Sequence, residues 1–129
     1  MQEKKKADVS GSNTTPSEHN DKYIRLLKQI ILSRIDRDKV MVFLFGSRVL
    51  DNHTSRADVD VGFLSDEKLS VHLFHEIRNA VEDSIIPLEV DLVDFNKTGN
   101  LFAKEAVKDI VIWNKPKGMK RNYLHWNTA

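Results

Sequence analysis

A chain of 129 residues with 40% apolar content is long enough to bury a core in one domain and too short for two of ordinary size. A formal net charge of +1 gives bulk electrostatics no pull toward nucleic acid or a membrane surface, and the absence of cysteine excludes disulfides and thiolate metal sites. No apolar run reaches the length of a membrane span and the N-terminus lacks a signal-peptide core, so a soluble, cytoplasmic protein is expected.

In chain order, residues 1–20 hold almost nothing to bury, and the run Ser10-Gly11-Ser12-Asn13-Thr14-Thr15-Pro16 reads as a disordered leader. Asn20 or Asp21 can cap a first helix, on which Ile24, Leu27, Ile31 and Ile35 recur at helical spacing. Val40 to Phe45 is apolar at every position, as in a strand covered on both faces, and Gly46 ends it. From Ala57 to Leu64 the pattern alternates. Asp58, Asp60 and Gly62 share one face and Val59, Val61 and Phe63 the other, which predicts a half-buried strand with acids on its polar side.

Ser65-Asp66-Glu67 is expected to open a second helix whose buried stripe is Leu73, Ile77, Ala80 and Val81. Pro87 precedes a third strand, Leu88 to Phe95; a short helix from about Leu101 to Val107 and an edge strand at Ile110-Val111-Ile112-Trp113 follow. The order predicts an α/β domain, 21–114, with a small mixed sheet flanked by helices. Residues 115–129 form a basic, aromatic tail, read either as a frayed terminus or as an arm that wraps a partner.

The chemistry-bearing residues cluster in that domain. Asp58 and Asp60, two apart on a strand, put two carboxylates on one face about 7 Å apart at Cα, a spacing from which both can converge on divalent cations. Mg²⁺ takes oxygen ligands and completes its shell with substrate phosphates, so few protein groups are needed. Asp91 interrupts the apolar run Val90-Leu92, where a charge is costly unless paired or metal-bound; Glu89 and Asp94 compete with it as the third acid. Gly46 and Ser47 offer a tight turn with N–H and hydroxyl donors for phosphate. Arg48 suits either a triphosphate or a structural ion pair with a nearby Asp.

Rival motifs are absent or weak. There is neither a P-loop nor a dinucleotide-binding glycine pattern. His72 and His75 beside Glu76 lack zincin spacing, so surface or helix-packing positions are expected for them.

Gly46-Ser47, a ten-residue spacer, Asp58-Val59-Asp60 and the later Asp91 together resemble the minimal nucleotidyltransferases of the DNA polymerase β superfamily. Flanking residues Val42 to Arg48 and Pro87 to Asp94 match as well, and the resemblance spans about Tyr23 to Asn114. It implies a mixed sheet flanked by helices and transfer of a nucleoside monophosphate, AMP from ATP, to an acceptor hydroxyl with release of pyrophosphate. It also implies that Asp58 and Asp60 ligate two Mg²⁺ ions, that Asp91 ligates the catalytic one and helps activate the acceptor, and that Gly46 and Ser47 hold the β- and γ-phosphates. Stand-alone members of this size resemble the antitoxin half of bacterial pairs whose other half is an all-helical HEPN protein, and some adenylylate a tyrosine on that partner. This chain departs from the family pattern at Asp51, where a second glycine is usual, and at Ala57, where serine is usual. Those departures fit an alternative, a non-catalytic module that neutralises a helical partner sterically. A transferase acting on small molecules, of the aminoglycoside type, is a further alternative, although such enzymes generally carry an extra helical domain.

Overall fold

The structure is a computed structural model that describes residues 16–46, 59–99, 103, 106 and 108–119. Its elements are α1 (Pro16–Leu32), β1 (Val40–Phe45), β2 (Val59–Ser65), α2 (Val71–Glu82), β3 (Val90–Asp94) and β4 (Val111–Asn114). The strands form one mixed sheet in the order β3-β2-β1-β4. β1 lies antiparallel to both β2 and β4, while β2 and β3, joined through α2, run parallel. A helical crossover between parallel neighbours is the usual solution, since parallel strands cannot be joined by a tight turn.

Side-chain alternation divides the core into two faces. Val40, Val42, Leu44, Val59, Val61 and Phe63 pack against Leu27 and Ile31 of α1 and Ile77 and Val81 of α2, with Trp113 from β4. Removing a side chain of this size from water contributes roughly 1.5–3 kcal/mol, so this helix-covered face dominates stability. The opposite face is smaller and holds Met41, Phe43, Phe45, Leu64, Phe95 and Ala103. The central strand β1 is therefore buried along its whole length, as its unbroken apolar run predicts.

Three sequence expectations need correction. α1 begins at Pro16, ahead of Asn20 and Asp21; a proline costs little in a first turn, whose N–H groups have no helical acceptor. α2 begins at Val71, not at Ser65-Asp66-Glu67. Its cap is Ser70, whose Oγ accepts from the His72 N–H at 3.0 Å. Ser65 and Glu67 are committed instead to a polar clasp: the Ser65 N–H donates to Asn96 Oδ1, the Asn96 amide donates to the Glu67 carbonyl, and the Glu67 N–H donates to Ser65 Oγ. Finally, the acid-bearing face of β2 is wet only at one end. Gly62 and Leu64 are buried there, because the rings of Phe43 and Phe95 occupy the space left by the missing side chain of Gly62.

β4 is an edge strand, as expected. Asn114 closes it by donating to the carbonyls of Arg37 and Val40 at 2.9 and 2.7 Å. Ala103 and Ala106 are helical, and the remainder of the helix expected over 101–107 lies outside the described residues. So do residues 1–15 of the leader and 120–129 of the basic tail. Among the described residues, no helix is long and apolar enough to cross a membrane.

Candidate active site

The site is assembled at the end of the sheet where β1 stops. Gly46 has φ +88°, a left-handed conformation that glycine adopts without steric cost, and it turns the chain away from the strand. The antiparallel register sets Phe45 opposite Asp60, so β2 brings an acid back beside that turn. Their approach is close. A Cβ on Gly46 would run into Asp60 Oδ2 and would lie 3.2 Å from its Cγ.

The parallel register of β2 with β3 pairs Asp60 with Asp91. Residues paired across neighbouring strands project from the same face, and neighbouring strands are ~4.8 Å apart. The carboxylates of Asp60 and Asp91 therefore stand side by side on the face away from the helices, above Gly62 and Val93 of the next pair. Asp60 is half-buried and Asp91 exposed. Two like charges in such a position oppose one another, and a divalent cation between them turns that repulsion into joint attraction.

Alternation also separates Asp91 from its competitors. Asp94 lies three positions along and so faces the helices. Its Oδ1 accepts the Asn96 N–H at 2.9 Å, and its Oδ2 is buried without a hydrogen-bond partner among the described residues. Glu89 precedes β3 and is exposed, and its carbonyl accepts the Val59 N–H at 2.8 Å. Ser47, Arg48 and Asp58 lie outside the described residues. Among the described residues, no three or more His, Asp or Glu side chains converge, so Asp60 and Asp91 form a pair there. This all-oxygen donor pair, with Asp91 open to solvent, fits Mg²⁺ better than a transition metal. His72 and His75 are exposed on α2, as expected.

Beyond Asp91 lies a cleft of about 320 Å³ between α2 and β3. Arg78 and Glu82, on its α2 side, are not singled out by any motif. The available signal was their spacing: four apart on α2, they flank Val81 of the buried stripe.

Residues 28–118 match the family described as Polymerase beta, Nucleotidyltransferase. The chain belongs to that family. This nucleotidyltransferase is 30% identical over 82 residues to the probable protein adenylyltransferase MntA of Haemophilus influenzae, a match covering 62% of this chain and 71% of that one. Its fold is similar to that of a toxin–antitoxin solved with AMP-PNP, with a TM-score of 0.57 and 19% identity over 76% of this chain and 74% of the other. It is also similar to the toxin–antitoxin MntA–HpeT, with a TM-score of 0.55 and 17% identity over the same shares, 76% and 74%.

Proposed function

We propose that this nucleotidyltransferase transfers AMP from ATP to a hydroxyl, the tyrosine of a helical HEPN-type partner, and so acts as the antitoxin of a cytoplasmic toxin–antitoxin pair. The observation that carries the reading is the register that sets Asp60 beside Asp91, next to the left-handed Gly46. Family membership supplies the reaction class. The protein acceptor and adenylyl donor rest on likeness to a relative named as a protein adenylyltransferase, and the HEPN partner and tyrosine on the sequence resemblance.

Asp60 and Asp91, joined by Asp58, would hold Mg²⁺. When bound, Mg²⁺ supplies charge stabilisation at the phosphate oxygens during in-line displacement. Gly46 and Ser47 bind the β- and γ-phosphates, and the bare backbone of Gly46 lets them come close. Arg48 pairs with the triphosphate. The acceptor oxygen attacks the α-phosphorus, forming a new O–P bond, and the bond to the β-phosphate oxygen breaks. Pyrophosphate leaves with that electron pair. Asp91 draws off the acceptor proton as the oxygen attacks.

The test is incubation of the protein with α-labelled ATP, Mg²⁺ and a HEPN protein encoded beside it. Label on a partner tyrosine, lost with Asp60→Asn, is the expected result. A partner that stays unlabelled, yet is neutralised in cells equally well by wild type and Asp60→Asn, would establish steric neutralisation instead.

A further inference from the structure

The strand order ranks the parts of the site in a line. Gly46, at the end of β1, lies on one side of Asp60; Asp91, on β3, lies on the other; and the cleft opens beyond Asp91. In-line displacement needs the leaving group and the nucleophile on opposite sides of the reacting phosphorus. If the triphosphate lies at Gly46, the acceptor must enter from the β3 side, where the cleft is.

The floor of the cleft is apolar, formed by Val81, Ile86, Leu88 and Leu92, and Ile85 stands 74% exposed in the adjoining loop. Its rim carries Glu82, Glu89 and Asp91 against the single cation Arg78. The β3 edge adds a second feature. Because the Glu89 carbonyl and the Phe95 N–H bond to β2, alternation turns the N–H and C=O groups of Val90 and Leu92 outward, and no described strand pairs with that edge. An exposed edge beside an apolar cleft suits a polypeptide that adds as a strand and drops a side chain into the pocket. Three carboxylates against one guanidinium repel a phosphate backbone and attract a basic segment.

We infer that this cleft seats the acceptor, and that the acceptor is an extended polypeptide segment with an apolar or aromatic anchor and basic residues beside it, not a nucleic acid. The inference rests on the transferase reading and names the substrate class of that same site.

The test uses three probes with α-labelled ATP and Mg²⁺: a decapeptide with one tyrosine among lysines, the same peptide with glutamates, and an oligonucleotide with a free 3′-hydroxyl. The basic peptide is expected to show a KM lower by about tenfold or more than the acidic one, and Glu82→Lys/Glu89→Lys is expected to invert that order. Both positions are exposed, so the variant keeps its fold, checked by its unfolding midpoint. Equal KM values for the two peptides in wild type, an order unchanged in the variant, or faster labelling of the oligonucleotide would overturn the inference. ATP binding that depends on Asp60, with neither peptide labelled or bound, would sink the cleft while leaving the transferase reading standing. Absence of ATP binding would sink both.

Discussion

Replacing Gly46 with alanine probes the site through the backbone. The left-handed φ of +88° costs a residue with a Cβ roughly 1–2 kcal/mol, whatever space surrounds it. The new methyl also collides with the Asp60 carboxylate, and forcing a group into occupied space costs about 1–3 kcal/mol. If Asp60 holds its place the two terms combine to about 2–5 kcal/mol, which moves a urea midpoint on the order of 1 M. If Asp60 swings aside, only the backbone part remains in the stability, and the loss appears in catalysis because the carboxylate has left its partner Asp91. Urea unfolding followed by circular dichroism, run beside an adenylylation assay, separates the two cases. The double variant Gly46→Ala/Asp60→Ala should recover the collision part alone, a coupling of about 1–3 kcal/mol. A Gly46→Ala protein equal to wild type in both midpoint and transfer rate would refute the close approach of the turn and the acid.

The other expectations are narrower. Gly99→Ala is the control: a Cβ there meets nothing within 4 Å, so it should be neutral or stabilising by up to about 1 kcal/mol in the same unfolding assay. Gly62→Ala would put a methyl 2.5 Å from the Phe43 ring and 2.7 Å from Phe95, within aromatic rings packed 4.9 Å apart at their centroids, and should lower stability by about 1–3 kcal/mol by urea unfolding. Ser70→Ala removes the cap of α2 and should cost about 1 kcal/mol without altering ATP affinity by calorimetry. Asp60→Asn should leave the unfolding midpoint nearly unchanged while reducing transfer by orders of magnitude in the labelled-ATP assay, since the metal loses a charged ligand.

The sequence made the central strands plain, because the unbroken apolar run from Val40 to Phe45 has no other economical use than a strand buried on two sides. Alternation in β3 likewise placed Asp91 opposite Val90 and Leu92, where the structure has it. The misreadings came from contacts between distant residues. Ser65-Asp66-Glu67 has the composition of a helix start, but Asn96, some thirty residues later, claims Ser65 and Glu67 for the β2–β3 clasp. Gly62 looked like part of a wet face because nothing local announces that Phe43 and Phe95 fill its vacancy. The pairing of Asp60 with Asp91 belongs to the same class: it depends on how two separated strands slide past each other, which no local pattern specifies. The Arg78 and Glu82 cleft was invisible because each residue alone is an ordinary polar position on a helix.

The parallel ladder from Val59–Val90 to Phe63–Asp94 carries a consequence for handling the protein. Slipping β3 by one position would exchange its two faces and bury Asp91 under α2; slipping it by two would keep the faces and move that carboxylate roughly 7 Å out of line with Asp60. A population misaligned in the second way would preserve secondary structure, compactness and most of its apolar packing. It would pass every routine check of folding and be dead. Batches of this enzyme should therefore be graded by the fraction of molecules competent to turn over, since alignment of one outer ribbon separates a working molecule from its inert look-alike.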